Sequence, residues 1–297
     1  MTSNLPQQIR LLTPANWSDY ELLDSGNGTK LERFGRYRVV RPDAQVLWSP
    51  RLPAAEWVQA QAVYEEAPGK HGEWRVRQPV PERWALEYDG LRFWARLTPF
   101  GHMGVFPEQA AHWVWIRERV QAAGRPLKVL NLFGYTGIAS LAAARAGAQV
   151  CHLDASKAAI NWVSENQQLS KLADRPIRWI LDDALKFVKR EARRQSCYDG
   201  VIMDPPKFGR GPKGEVWRFE DTFVTLLHAC REILSPSPAF LLLTTYAQAI
   251  SSVSIGNAVA DLLRSFDGET ECGELALRET GAGRYLSTSV YARWWRP

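Results

Sequence analysis

The sequence predicts an α/β protein, with a mostly parallel sheet covered by helices on both faces and a small antiparallel β domain in front of it. Three observations lead there. From about residue 107, strand-like apolar runs alternate with helical stretches, the pattern of repeated βαβ units. Before that point, short aromatic and β-branched runs alternate with turn residues, and eight of the thirteen tryptophans precede residue 116. The chain of 297 residues is 45% hydrophobic and 23% charged, too apolar for disorder. At about 150 residues per domain the length suggests two domains. The change of texture divides them into 1–105 and 106–297.

In the first domain the segments 36–40 (RYRVV), 74–77 (WRVR), 84–88 (WALEY) and 91–97 (LRFWARL) read as strands. Asp89-Gly90 between the last two is a strong hairpin signal. The tryptophans suit core packing better than base stacking. The run YELLDSGNG at 20–28 has no chemical assignment.

In the second domain Pro107 suits the first turn of a helix to Ala123, and Gly124 ends it. Strands follow at 127–133, 149–153, 178–181, 200–203 and 240–245. Helices lie between them at 139–146, 156–172, 184–194 and 220–234, and another follows at 251–266. Two final strands, 269–280 and 285–295, are joined by ETGAG at 279–283 and read as an antiparallel hairpin at one edge.

Several functional classes are excluded or left without support. Cys151, Cys197, Cys230 and Cys272 are too few and scattered for a disulfide framework, and no C-x-x-C pair suggests a structural zinc, so no metal is expected. No run of 18 apolar residues could span a membrane, and MTSNLPQQ at the start has no apolar leader. A cytoplasmic chain with reduced thiols is the expectation. The net charge of +5 and pI near 9.1 permit a nucleic-acid partner without demanding one. Residues 1–125 carry sixteen cations against fourteen acids, so the first domain is not a basic arm.

In open α/β sheets ligands sit at the carboxyl ends of the strands. After the first strand stands NLFGYTG at 131–137, a glycine turn that lets a ligand approach the backbone. It is neither a P-loop nor G-x-G-x-x-G, so a dinucleotide oxidoreductase has little support. After the second strand comes Asp154, with Ser156 beside it. A carboxylate there can accept both hydroxyls of a ribose, or complement a helix N-terminus. After the third come Asp182, Asp183 and Ala184. They suit a purine amino group and ring nitrogen, and equally a helix start. After the fourth comes DPPKF at 204–208. Two prolines fix an extended backbone, and both carbonyls are expected to aim outward at a substrate amino group. Asp204 adds an acceptor, and Phe208 adds a flat apolar face.

Together these strand ends resemble a class I S-adenosylmethionine-dependent methyltransferase over about residues 98–297. More narrowly, they are similar to the bacterial 23S ribosomal RNA large-subunit methyltransferase I/K family. The motifs are LNLFGYTG at 130–137, DAS at 154–156, DD at 182–183 and DPPKF at 204–208. GHMGVFPEQ at 101–109 and GRYLSTSV at 283–290 are variants of two further family motifs, with His102-Met103 in place of Lys-Thr. The resemblance implies a Rossmann-like sheet of seven strands, one of them antiparallel, and S-adenosylmethionine as cofactor. It implies that Asn131, Phe133, Tyr135, Thr136, Gly137 and Ile138 face the cofactor's amino-acid part. Asp154 and Ser156 would take the ribose, and Asp182, Asp183 and Ala184 the adenine. Phe106 and Gln109 come from the upstream motif. Asp204, Pro205, Lys207 and Phe208 would hold the target.

Methylation of cytosine C5 needs a thiolate, and neither DPPKF nor the stretch LTTYAQ at 243–248 contains a cysteine. The expected enzyme therefore methylates a base of RNA, ribosomal RNA above all, without a cysteine nucleophile. The alternatives are a small-molecule or protein substrate, or a non-catalytic RNA-binding relative. Lys207, Arg210 and Lys213 lie in a glycine-rich segment that suits a phosphate backbone as a mobile loop. Lys186, Lys189, Arg190, Arg193 and Arg194 suit the basic last turns of a helix.

Overall fold

The computed structural model describes residues 8–66, 72–246 and 248–297. Residues 1–7, read above as lacking an apolar leader, and Ala247 of the LTTYAQ stretch lie outside the described residues. The chain forms two compact units. One takes the described residues up to Leu12, then His112–Leu275 and Ser289–Pro297; the other takes Thr13–Ala111 and Ala276–Thr288. The change of texture near residue 105 thus lies close to one changeover, whereas the exchanges near each terminus have no compositional mark.

The chain opens with β1 (Ile9–Leu12) and then builds the smaller unit. Its elements are β2 (Tyr20–Gly26), β3 (Thr29–Phe34), β4 (Tyr37–Pro42), α1 (Ala54–Val58), β5 (Ala62–Glu65) and β6 (Glu73–Val76). The hairpin β7 (Trp84–Tyr88) and β8 (Leu91–Ala95) follows. Asp89 and Gly90 turn this hairpin with φ of 49° and 72°, both left-handed. Asn27 and Gly28 do the same for β2–β3 at 52° and 74°. Two left-handed residues are what a type I′ turn requires, so the unassigned 20–28 run is the first arm of a hairpin.

The five-stranded sheet β2-β3-β4-β5-β6 is not purely antiparallel, as was expected, because β4 and β5 run parallel. The α1-bearing connection between them is long enough for the crossover that parallel pairing needs. The tryptophans of this unit are packing residues. Trp17 lies 4.8 Å from Tyr88 and 5.4 Å from Tyr20, and Trp84 lies 4.8 Å from Tyr37. Two indoles are also bonded inside the unit: Trp84 Nε1 donates to Phe34 O and Trp74 Nε1 to Thr98 O.

A 3₁₀ turn, Pro107–Gln109, precedes α2 (Ala110–Ala122), with the proline in its first turn as the sequence implied. Then come β9 (Lys128–Leu132), α3 (Ile138–Arg145), β10 (Gln149–Asp154), α4 (Lys157–Leu169), β11 (Ile177–Leu181), α5 (Ala184–Arg193) and β12 (Gly200–Met203). A short hairpin, β13 (Phe208–Arg210) and β14 (Val216–Arg218), leads into α6 (Phe219–Glu232). β15 (Phe240–Thr245), α7 (Ser252–Leu262), β16 (Glu269–Arg278) and β17 (Tyr285–Trp295) complete the chain.

The main sheet has eight strands in the order β1-β16-β17-β15-β12-β9-β10-β11, not the seven implied by the resemblance. β1 adds itself in parallel to β16 and takes the edge expected for the final hairpin. β9, β10, β11, β12 and β15 are parallel, and β17 is antiparallel to β15. Both faces are covered. Leu130, Leu132, Val201 and Met203 pack toward Phe187, Phe223 and Leu226 of α5 and α6. Val129 and Ile202 pack in a second core with Trp115 and Ile116 of α2 and with Ala143 of α3. The strand order reverses between β9 and β12, which opens a crevice at their carboxyl ends.

Within the smaller unit, Arg284 joins chain segments far apart in sequence. Its guanidinium donates to Asp24 Oδ1 at 3.0 Å and Glu279 Oε2 at 2.6 Å, and to the carbonyls of Ser25 and Ser49. Asp24 and Glu279 are buried. Asp24 also accepts from the backbone of Arg51 and Leu52, and Ser25 Oγ donates to Glu279 Oε1. Arg284→Ala leaves two buried carboxylates without their cation, so it should lower folding stability by about 3–5 kcal/mol. Chemical denaturation checks this; an unchanged midpoint would mean that water replaces the guanidinium at no cost.

Candidate functional site

The crevice is built from the turns that follow β9, β10, β11 and β12. In the β9–α3 turn, Phe133, Tyr135 and Gly137 all have positive φ, at 57°, 50° and 79°. Three left-handed residues in five give a tight loop that turns its backbone outward. Gly134 N donates to Leu153 O, and Gly137 N donates to Gly134 O. A Cβ on Gly134 would stand 2.3 Å from His152 Cε1, and one on Gly137 would stand 1.9 Å from Val163 Cγ2. The two glycines therefore allow the turn to lie directly on β10 and α4.

A buried polar chain sits beneath this turn. Asn131 Nδ2 donates to Ser140 Oγ at 2.9 Å, and Ser140 Oγ is 2.9 Å from His152 Nδ1. The Ser140 hydroxyl can donate to Nδ1 or accept from it through its second lone pair, and His152 Nε2 has no hydrogen-bond partner among the described residues. His152 is fully buried, and desolvation lowers its pKa to about 3. Asn166 Nδ2 donates to Thr136 O and fixes the far side of the turn from α4. Asn131 and Thr136 are buried, and Ile138 opens α3.

Asp154 ends β10. Its Oδ2 accepts from Tyr135 N at 2.9 Å and its Oδ1 from Ser156 N at 2.8 Å. Burial raises its pKa, against the pull of the backbone amides of Ser156, Tyr135 and Ala155. Each oxygen keeps a lone-pair direction beyond the one already used, so the carboxylate suits a ligand with two adjacent hydroxyls. Ser156 caps α4 by accepting from Ala159 N.

The two acids after β11 are already engaged. Asp183 is the N-cap of α5 and accepts from Lys186 N at 2.9 Å. Asp182 accepts from Asp183 N through Oδ1 and from Arg190 Nη2 through Oδ2 at 2.7 Å. The helix-start role left open by the sequence is thus present, and Ala184 follows as a buried residue of the first turn.

After β12, Asp204 is half-buried, Pro205 is buried, and Lys207 and Phe208 are exposed. The expectation that both proline carbonyls face outward needs correction. Pro206 O accepts from Trp217 Nε1 at 2.6 Å, because β14 folds back over it. Nor is the segment that follows an irregular loop: it forms the β13–β14 hairpin, with Phe208 opposite Arg218. Trp217 lies against Phe133, ring centroids 4.8 Å apart, and so links the β9 turn to the proline segment.

Phe106 and Gln109 belong to the smaller unit, where Phe106 precedes the 3₁₀ turn and lies 5.2 Å from His102. Sequence reasoning missed Ser140, His152, Asn166 and Trp217, and it read Arg190 as a last-turn cation without its bond to Asp182. A histidine inside the apolar run of β10 was the one signal among them. Among the described residues no group of three or more His, Cys, Asp or Glu side chains could hold a metal ion. No helix of the described chain is long and apolar enough to cross a membrane.

Strand order, left-handed glycine turn and acid-tipped strands define an α/β enzyme domain of the nucleoside-binding, methyltransferase type. The match to known proteins makes this specific. Residues 39–259 match the model of the S-adenosylmethionine-dependent methyltransferase family, and the chain belongs to that family. Its cofactor is S-adenosylmethionine. An S-adenosylmethionine-dependent methyltransferase from Agrobacterium tumefaciens is 49% identical with a TM-score of 0.94, covering 99% of this chain and 96% of that one. A Streptococcus mutans methyltransferase structure shares the fold at 16% identity, with a TM-score of 0.71 over 94% of this chain and 76% of its own. The ribosomal RNA large subunit methyltransferase K/L of Hahella chejuensis is 31% identical over 163 residues, 54% of this chain and 22% of its own length. The chain thus spans about a fifth of the length of the curated relatives it matches.

His152 gives the site a pH signature. Its folded pKa near 3 lies below the ordinary 6.5, so the unfolded state binds the proton first. Stability should therefore fall as pH drops below about 6.5, by about 2 kcal/mol at pH 5 from this residue alone. His112, also lowered by burial and by Arg293, gives a slope of the same sign. Denaturation of the parent and His152→Asn at pH 7.5 and 5 should show a shallower acid loss in the variant. Equal losses would mean that His152 is not held neutral.

Proposed function

We propose that this chain transfers the methyl group of S-adenosylmethionine to a base of RNA, ribosomal RNA above all, without a cysteine nucleophile and in the cytoplasm. The DPPKF segment at the end of β12, across the reversal in strand order from the β9 glycine turn, is the observation that carries this reading. It supports a target pocket beside a cofactor pocket. The name of the K/L relatives supports RNA as the target.

When bound, S-adenosylmethionine supplies an electrophilic methyl group on sulfur. The protein binds and aligns, which for this reaction provides most of the rate. The turn of Phe133, Tyr135, Thr136, Gly137 and Ile138, braced by Asn131, holds the amino-acid part. Asp154 accepts from the ribose hydroxyls, next to Ser156. Asp182, Asp183 and the Ala184 amide face the adenine, and Arg190 fixes the orientation of Asp182. Asp204 and the Pro205 carbonyl accept from the target base, Phe208 offers it a flat face, and Lys207 neutralises a phosphate. Residues 1–105 position the RNA.

The thiols support a mechanism without a cysteine. Cys151, Cys230 and Cys272 are buried, and burial raises the pKa of each. Cys230 packs against Met203 as a neutral thiol. Cys197 is exposed, but it precedes β12 and so lies at the end of the strand opposite the proline motif.

Two variants separate the cofactor and target roles. Asp154→Ala should weaken S-adenosylmethionine binding by about 1.5–3 kcal/mol, the scale of a hydrogen bond to a charged group. Asp204→Ala should bind the cofactor within a few fold of the parent and lose about a hundredfold or more in turnover. Calorimetry beside single-turnover transfer to ribosomal RNA checks both. If Asp204→Ala loses the cofactor but keeps its rate at saturation, the division is wrong.

Replacing all four cysteines with alanine or serine should leave transfer within about tenfold, once folding is verified by cofactor binding. A covalent adduct with 5-fluorocytosine RNA in the parent would restore cytosine C5 chemistry through a thiolate.

A further inference from the structure

We propose that the outward face of the β13–β14 hairpin docks the single-stranded RNA that flanks the target base. The proposal rests on RNA as the substrate and adds the surface that holds it. The register makes this face. Phe208 pairs with Arg218 and Arg210 with Val216, so these four side chains share one side of the hairpin, whereas Gly209 and Trp217 share the other. The four are exposed, and the two apolar ones are 53% accessible each. Trp217 is buried at 3%. A hairpin with one buried and one exposed face is ordinary; an exposed face made of a phenylalanine, a valine and two arginines is not, because nothing in the fold uses it.

The charges point to the partner. Lys207, Arg210, Lys213 and Arg218 stand within twelve residues, and among the described residues none of their side chains makes an ion pair. Three nearby cations on and just after α5 are occupied, whereas Lys189 and Arg193 make no ion pair among the described residues. Lys186 pairs with Glu215 at 2.7 Å, Arg190 with Asp182 at 2.7 Å and Arg194 with Glu191 at 3.2 Å. Glu215, the one acid of the hairpin, is thereby neutralised and also accepts from Lys213 N, which shapes the turn. The exposed face is left with unopposed guanidinium groups beside an aromatic ring. This combination suits phosphates and unstacked bases. A duplex would hide the base faces that the ring can use. Each strand is only about 10 Å long, too small a surface for a stable protein partner, which needs about 1,000 Å².

The buried face gives this docking its register. Trp217 donates to Pro206 O and packs on Phe133, so the hairpin is fixed to the segment that carries Asp204 and to the cofactor turn. RNA held on Arg210 and Arg218 would enter at a set distance from the reacting base, by positioning and without chemistry of its own.

The test compares the parent with Arg210→Glu/Arg218→Glu and with Lys171→Glu/Arg264→Glu. The second pair makes the same charge change at exposed sites elsewhere. Fluorescence anisotropy with a labelled single-stranded oligoribonucleotide is read over a salt series, with its duplex as a second probe. The hairpin variant should bind the single strand at least tenfold more weakly. Its salt slope should fall by about 1.4, the value for two lost phosphate contacts. Its RNA KM should rise while kcat at saturating RNA stays within twofold and S-adenosylmethionine affinity is unchanged, and the control pair should match the parent. If the hairpin variant binds the single strand as the parent does, or if the duplex is preferred, the docking surface is wrong although the RNA reading survives. If the parent itself binds no RNA at low salt, the RNA reading fails and the hairpin's role fails with it.

Discussion

The site depends on one close approach, that of the β9–α3 turn to β10. Gly134 lies on the edge of the His152 ring with no space for a Cβ, and its amide bonds to Leu153 O. This contact sets the height of the turn above the sheet and brings Tyr135 N within 2.9 Å of Asp154. Asp154 holds the first turn of α4 through Ser156 N. A turn displaced by the width of a methyl group would therefore release Asp154 from one of its two donors. The buried chain Asn131–Ser140–His152 supports the same contact from below, and desolvation keeps its imidazole neutral. Within this chain Asn131, Ser140 and His152 Nδ1 bond to one another, whereas Nε2 has no partner among the described residues.

Around that fixed turn the basic residues separate into two groups. On α5, two cations serve the fold, as Arg190 orients Asp182 and Lys186 secures the hairpin through Glu215. Surface pairs of this kind add little stability each, but they remove both charges from the field available to a ligand. The hairpin cations are not used in this way. Net charge alone, +5 over the whole chain, could not distinguish these groups, because pairing depends on which strand opposes which.

Much of the larger unit was legible because its signals are local. Apolar runs ended by Asp or by Pro-Pro mark parallel strands, and every strand and helix expected after residue 107 is present within a few residues. Asp89-Gly90 was likewise readable, since only a few residue pairs accept two left-handed conformations. What stayed hidden depends on distant partners. IRLL at 9–12 has no alternation to mark it as a strand, and it becomes one by pairing with β16, more than 250 residues later. Glu279 read as a turn residue and Arg284 as part of the GRYLSTSV motif, but they form an ion network with Asp24. The occupied Pro206 carbonyl required knowing that Trp217 returns to it, and a glycine-rich segment gives little sign of a strand. At the site, residue types and spacing were visible, whereas the commitment of Asp182 and Asp183 to Arg190 and to α5 was not.

In the proposed site, Asp154 would connect stability with function. A carboxylate pushed up by burial is less comfortable charged in the fold than in water, and its backbone donors offset only part of that cost. Each oxygen still has room for one more donor. A ligand that brings two hydroxyls would complete the set and favour the ionised form, so binding and ionisation would strengthen each other. The protein holds the carboxylate in place beforehand, with its direction set by Tyr135 N and Ser156 N, so that the hydroxyls of the proposed ligand would meet an acceptor that need not move. Preorganised acceptors of this kind lower the ordering cost of binding. The left-handed backbone at Phe133 and Tyr135 is the local strain that this arrangement requires, whereas Gly137 adopts it without steric cost.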